Sequence, residues 1–340
     1  MNPVARIRRA LAAACAAACL TAPVVSHAEA DEVRIAEQYG LTYLPTTVMK
    51  AQGLLEKALA AAGLPQVEVV WSRISGSSQM TDAVLSGSLD FASGAFPNVV
   101  LLWDRTKGGV KAVVPSGGGD IYLVSRNPAM RSLKDYGGKE RIAVPSAKTS
   151  FSAIVLQMAA ADMYGIENHE RFDQLTVAMP HPEAATLLMS GRGEVASHFS
   201  SPPFQDMELK TPGIHKVMSS ADVFGGPMTS TVVWATAKFH AANPKIFRAF
   251  VQAYKESVDL INAQPRLAAE IYKRAANDKL PLQDIQRQIT DSPMFFTVRP
   301  TENMFRFAQF MYRAKQIRTM PPDLESLFFP EVRTLYPQDR

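Results

Sequence analysis

Hydroxyl, glycine and amide residues gather at four places in the sequence where chemistry could be done. They are Thr42 and Tyr43; Ser75, Gly76, Ser77 and Ser78; Ser93, Gly94 and Asn98; and Ser146, Lys148, Thr149 and Ser150. Each group precedes or opens a predicted helix. Those helices carry no acid until Glu56, Asp82, Asp104 and Asp162, respectively. A helix N-terminus normally attracts Asp or Glu, because its first turn bears partial positive charge and unpaired N–H groups. Ends supplied with hydroxyls and left without a carboxylate suit an anion or a polar head group. Ser and Thr at such positions are also ordinary caps, so the weight lies in the four ends taken together.

Covalent and metal chemistry have less to work with. Cys15 and Cys19 are the only cysteines, and both fall in an N-terminal segment expected to be removed. The rest of the chain then has no disulfide, no Cys-based metal site and no thiol nucleophile. His169, His181, His198, His215 and His240 show no His-x-x-x-His spacing. Of these, His181 alone, beside Pro182 and Glu183, is a candidate for a binding loop. There is no Gly-x-Ser-x-Gly elbow, and Gly117-Gly118-Gly119 lacks the Lys-Ser/Thr of a phosphate loop. That run reads as backbone freedom at a crossing between units. No metal and no cofactor is expected.

The elements that must position these residues alternate. VRIAE, VEVVWSRI, DFASG and VKAVVPS read as strands, separated by helices over 46–63, 77–87 and 97–109. After IYLVS (121–125) the pattern repeats. A strand ends at Ser146, a helix covers 150–164, and QLTVAM, PEAATLLMSG, EVASHF and IHKVM continue the alternation. Strands separated by helices argue a parallel α/β sheet, here in two successive units. In an open parallel sheet the strand-to-helix turns gather at the carboxyl edge, where ligands bind. Beyond residue 232 the chain reads as helices over 244–263, 265–277, 281–290, 301–318 and 321–328. The units are joined near 116–125 and 222–232. The stripe Phe305, Phe307, Phe310, Met311 reads as core, as do Trp71, Trp103 and Trp234.

The N-terminus fixes a compartment. Arg6, Arg8 and Arg9 precede a short apolar run that ends in Ser26-His27-Ala28, the form of a cleaved secretory signal over 1–28. The run is too short for the ~20 residues of a membrane span. Without those three arginines, 33 basic side chains face 32 acidic ones, a net charge of +1. No basic tract with interleaved aromatics points to nucleic acid.

Three stretches carry a resemblance: VRIAEQYGLTYLPTTVMKAQGLLEKALAAAG, GSSQMTDAVLSGSLDFASGAFPNVV and RIAVPSAKTSFSAIVLQMAAADMYGI. With SGSLDFASG and the Pro203-Phe204 pair, they resemble the nitrate/sulfonate/taurine class of ABC-transporter substrate-binding proteins, thiamine-pyrimidine-precursor binders included. That likeness implies a type II periplasmic-binding-protein fold, with C-terminal helices packed on the first of two α/β lobes around a cleft. Lobe 1 would comprise 29–120 and 228–340, and lobe 2 would comprise 121–227. By the resemblance, Tyr39, Gly40 and Thr42, Ser75 to Ser78, and Ser93, Gly94 and Phe96 line one side. Ser146, Thr149, Ser150 and His181 line the other. Tyr39, Tyr43, Phe96 and Phe151 could stack on a planar ring. The function implied is a monomeric periplasmic receptor that delivers a sulfonate, carboxylate or pyrimidine to an inner-membrane permease. The alternative is an enzyme on the same fold acting on a pyrimidine or aromatic substrate, and a sensor stays open beside both.

Overall fold

Two five-stranded sheets organise the chain. The computed structural model describes residues 29–74, 77–226, 228–290 and 294–336. The expected signal segment, Ser75 and Gly76 lie outside the described residues, as do the side chains of Ser77 and Ser78. In the first sheet β1 (Glu32–Glu37) lies between β2 (Glu68–Arg73) and β3 (Phe91–Ala95), both parallel to it. β4 (Val110–Gly118) closes that sheet at its edge. In the second sheet β6 (Ile142–Val144) lies between β7 (Thr176–Ala178) and β8 (Ser197–Ser200), again in parallel. Each sheet then accepts one antiparallel strand next to its edge. β5 (Tyr122–Ser125) enters between β8 and β9 (His215–Ser219), and β10 (Thr229–Thr236) returns between β3 and β4. The chain therefore leaves the first sheet once and comes back once, which gives two α/β lobes joined by two crossings.

Local chemistry explains where the helices differ from the sequence reading. The helix read over 46–63 is two: α1 (Leu44–Gln52) and α2 (Leu54–Ala61), separated by Gly53 at φ 59°. Glycine takes this left-handed conformation without a Cβ penalty and ends α1. After α3 (Ser77–Leu85) and α4 (Phe96–Thr106) comes α5 (Phe151–Tyr164), whose first ten residues, Phe151 to Ala160, are all buried. A helix buried on every side sits between layers rather than on a surface. α6 (His181–Ser190), α7 (Phe204–Leu209) and α8 (Ser220–Phe224) complete the second lobe.

The C-terminal part holds α9 (Ala237–Ala242), α10 (Pro244–Ala263), α11 (Pro265–Ala276), α12 (Leu282–Thr290) and α13 (Phe305–Arg313). The helix read over 321–328 is only a short 3₁₀ turn, Glu325–Leu327. Pro321 and Pro322 precede it and cannot donate backbone hydrogen bonds. α10 packs on the first sheet, where Phe250 stacks on Phe91 with ring centroids 3.8 Å apart. Its first turn has no acid of its own. Glu29 supplies one from the start of the described chain, accepting from the N–H groups of Lys245 and Ile246 at 2.7 and 2.8 Å. Phe307 of α13 does more than fill the first lobe. It meets Phe96 at 6.3 Å, Phe151 at 5.5 Å and Phe224 at 5.1 Å, so one aromatic cluster spans both lobes.

The glycine run at the crossing has a steric cause beyond freedom. A Cβ at Gly117 would collide with the Phe295 carbonyl, and one at Gly118 with that of Met228. Beside it, Asp120 accepts from Ser219 Oγ, from Ser220 Oγ at 2.9 Å and from the Ala221 N–H at 2.9 Å. These bonds tie the outgoing crossing to the residues that lead back.

Candidate functional site

The carboxyl ends of β1, β3 and β6 deliver their turns to a cleft between the lobes. Gln38, Tyr39, Thr42, Tyr43 and Ala95 line it from the first lobe. Pro145, Ser150, Phe151, Ser152, His181 and Ser201 line it from the second, and Ile121, Ser230 and Thr231 contribute from the crossings. The free volume is about 60 Å³, and a cavity needs roughly 10–15 Å³ of such space per water. The lobes touch beside it: the Leu41 N–H donates to the Pro202 carbonyl at 3.2 Å. Gly40 makes that approach possible. It sits at φ 112°, and a Cβ there would lie 3.3 Å from the same carbonyl oxygen.

Among the described residues, no Lys, Arg, Asp or Glu lines this cleft. Its polar groups are neutral, and three of its hydroxyls already hold hydrogen-bond partners. Ser150 Oγ caps α5 by accepting from the Ala153 N–H at 3.3 Å. Ser152 Oγ donates to the Phe199 carbonyl at 3.2 Å. Thr231 Oγ1 lies 3.3 Å from the carbonyls of both Thr42 and Gly117. Burial, with Tyr254 nearby, pushes the Tyr43 phenol up, so it stays a neutral donor. Tyr254 is itself pushed up to about 12 by burial. Tyr39 is steadied from outside the cleft: Arg73 lies 5.1 Å from its ring and pairs with the buried Glu37 at 3.0 Å.

His181 opens a buried chain. Its Nδ1 is 2.8 Å from His198 Nε2, and His198 Nδ1 is 2.6 Å from Glu208 Oε1. His198 and Glu208 are fully buried, and Glu208 Oε2 has no partner. The His181 ring stacks on Phe204 with centroids 6.0 Å apart. Burial, and then the neighbouring His198, holds His181 well below the usual histidine range.

The structure brings together Tyr39, Thr42, Tyr43, Ser150, Phe151 and His181 from the expected set. Gly40 lies at the mouth, in an adjoining cavity of about 250 Å³ shared with Tyr39 and Arg73. Ser93 is buried behind the wall, its hydroxyl 3.5 Å from Thr46 Oγ1 and its carbonyl accepting from Gln38 Nε2. At Gly94 a Cβ would come within 2.7 Å of the Trp234 ring, so its role is packing. Phe96 is wholly buried in the aromatic cluster. Ser146 is buried below the α5 turn, its carbonyl accepting from the Ser150 N–H at 3.2 Å. Thr149 faces away, into a second cavity of about 220 Å³ that it shares with Asn98, Arg105, Lys148 and Gln316.

Sequence reasoning missed Gln38, Ser152, Ser201, Ser230 and Thr231. Ser230 and Thr231 left a faint signal, hydroxyls opening the otherwise apolar returning strand TSTVVWAT. The pairing of His181 with His198 and Glu208 left none.

The fold this arrangement defines is that of the periplasmic binding proteins. The alkanesulfonate-binding protein SsuA from Xanthomonas axonopodis pv. citri, solved with MOPS, superposes with a TM-score of 0.69 at 15% identity, covering 89% of this chain and 99% of that one. The zinc-bound ligand-binding component of an ABC-type import system from Staphylococcus aureus gives 0.65 at 15% identity, covering 89% and 98%. A Candida albicans gene product described as having the generic periplasmic-binding-protein fold gives 0.66 at 13% identity, covering 88% and 96%. No family model matches the sequence. No curated protein matches it. Among the described residues, no helix is long and apolar enough to cross a membrane.

Proposed function

We propose that the protein is the solute receptor of an ABC importer. It is exported through a cleaved signal over 1–28 and acts in the periplasm as a monomer. It closes on a small polar or anionic organic solute of the sulfonate, carboxylate or pyrimidine class and presents it to an inner-membrane permease. Lobe 1 comprises 29–120 and 228–340 and lobe 2 comprises 121–227, a division supported by the composition of the two sheets. Neither a cofactor nor nucleic acid enters this reading. Cleavage after Ala28 leaves Glu29 in place as the cap of α10, and N-terminal sequencing of exported protein should begin at Glu29, or at Asp31 if the Ala28-Glu29-Ala30 site is used.

One observation carries the reading: neutral polar side chains from both lobes and from the returning crossing converge on one cleft, next to an interlobe hydrogen bond. A solute that bonds both walls favours the closed state, and it shifts the equilibrium only by its differential affinity for closed over open. Native mass spectrometry of the purified protein, followed by a thermal-shift screen of aliphatic sulfonates, aromatic carboxylates and pyrimidines, tests it. A true solute at 100 times its Kd should add about 2.7 kcal/mol of stability. A flat response across the panel, with no bound mass, overturns the reading.

The enzyme alternative draws on the His181–His198–Glu208 chain, because a histidine backed by a buried partner is how a general base is built. Turnover of a bound pyrimidine or aromatic compound in a metal-free preparation would establish it.

A further inference from the structure

The direction of hydrogen bonding in the buried chain behind His181 can be worked out from charge. Glu208 and His198 are fully buried, and among the described residues the ion-pair partner of Glu208 is His198. Two protonation patterns leave the pair uncharged. In one, ionised Glu208 faces imidazolium His198, which carries protons on both nitrogens. In the other, Glu208 is protonated and donates to His198 Nδ1, and the single His198 proton sits on Nε2. Both place a proton on His198 Nε2, so His181 Nδ1 must accept. The remaining pattern, ionised Glu208 with His198 neutral and protonated at Nδ1, buries a carboxylate whose net charge is uncompensated and which is held by one hydrogen bond. One of its oxygens, Oε2, has no partner. Isolated buried charges are strongly disfavoured.

The geometry points to His181 as the residue that sets the cleft's specificity: its proton is locked on Nε2, and it presents a neutral N–H donor to an oxyanion of the solute, carboxylate or sulfonate. The inference rests on the receptor reading and narrows its solute class. Nδ1 is engaged with His198, so Nε2 is the ring nitrogen left for the cleft. The ring lies in a partly desolvated site at the start of α6, where positive charge is disfavoured. A solute that offers an ammonium or ring N–H at this point would set donor against donor. Tyr43 and Ser150, which also line the cleft, can complete the cradle for the oxyanion.

The test begins without any solute. Long-range ¹H–¹⁵N correlation of histidine-labelled full-length protein at neutral pH reports the tautomer of each ring directly. His181 should show the Nε2–H tautomer with an unprotonated Nδ1. Glu208→Leu removes the carboxyl group that orders the chain, and His181 should become a mixture of tautomers. An Nδ1–H tautomer at His181 in the wild type overturns the proposal and leaves the receptor reading standing, since it would give the cleft an acceptor. The second arm is calorimetry with taurine, benzoate and benzylamine as probes. Taurine or benzoate should bind and benzylamine should not. His181→Phe, which keeps the ring stack on Phe204, should weaken the oxyanion about 3- to 10-fold, the worth of one ordinary hydrogen bond. Benzylamine binding more tightly than both oxyanions, or His181→Phe leaving the oxyanion's Kd unchanged, overturns the specificity role.

Discussion

The first turn of α5 has two sides, and they face different cavities. On the Ser150 side the space is about 60 Å³, the described lining is uncharged, and the Ser150, Ser152 and Thr231 hydroxyls already hold a partner. On the Thr149 side it is about 220 Å³, with Arg105 and Lys148 in the wall, and Asn98 Nδ2, Thr149 Oγ1 and Gln316 Oε1 are buried without partners. Size and cations favour the second cavity as an anion site at first sight. Lys148, however, already faces Glu170 at 3.5 Å and Asp173 at 3.8 Å. The smaller cleft has what recognition needs more: dipoles fixed before a ligand arrives, so that little is lost in ordering them.

Swapping a charge from one side to the other is the most forceful way to break this comparison. Ser150→Asp places a carboxylate in the uncharged cleft. Two like charges about 4 Å apart repel by about 4 kcal/mol at the effective dielectric of a partly exposed site. Oxyanion binding should therefore fall roughly 100- to 1,000-fold by calorimetry. Thr149→Asp, one residue away beside Lys148, should leave the Kd within about twofold. The opposite ranking would move the solute to the second cavity.

How much of this could be read from sequence is clearest at the helix starts. α1, α3, α4 and α5 do begin without an acid. So do α9, α10, α11 and α13, none of which lines the cleft; of these only α9 directly follows a strand, and that strand, β10, runs antiparallel to its neighbours. Absence of acid is therefore not the whole signal; the strand before the helix supplies the rest, since it fixes which end of the sheet a turn reaches. The lobes and the α1 and α5 turns were legible for that reason. At α4 the same signal pointed past the cleft, because Phe96 is drawn into the aromatic cluster and Asn98 into the second cavity. His198 and Glu208 were hidden, because a residue inside a strand meets one on a short helix only after lobe 2 has packed. Glu29 capping α10 was hidden by a separation of 216 residues.

A smaller effect comes from the latch between the lobes. Gly40→Ala forces an L-residue into φ 112°, ψ 161°, a conformation that is essentially glycine-only and costs of order 1–3 kcal/mol. The added methyl also abuts the Pro202 carbonyl, and parting the lobes relieves that crowding. Affinity should drop about 5- to 100-fold, and small-angle scattering of the variant with solute should show a larger radius of gyration. Unchanged scattering and affinity would remove Gly40 from the closure mechanism.

Acidity probes the cleft more gently. His181 is held below its ordinary value of 6.5 in the folded chain. Below about pH 6.5 the unfolded chain then binds the extra proton, so stability falls as pH drops from there toward the lowered folded value. Above that window the contribution is fully present. One proton changes stability by at most about 1.4 kcal/mol per pH unit. His181→Phe should flatten the decline of Tm between pH 7 and 5. An equally steep decline in the variant would assign the acid sensitivity to other groups.

The least effect is expected on the far side of the same turn. Thr149 Oγ1 is buried, lines the second cavity and has no hydrogen-bond partner. A buried polar atom without a partner carries a desolvation penalty of about 1–3 kcal/mol, whereas an apolar group of the same shape carries none. Thr149→Val exchanges the hydroxyl for a methyl at nearly the same volume, so the change lies in polarity rather than in packing. Part of the penalty is already relieved by the polar neighbours Lys148 and Gln157, so the gain should stay near the lower bound, about 1 kcal/mol, read as a higher urea midpoint at constant slope. Solute affinity should not move, since this hydroxyl points away from the cleft. A Thr149→Val variant that lost stability and affinity together would mean that the second cavity holds a bonded guest and that the two sides of α5 act as one site.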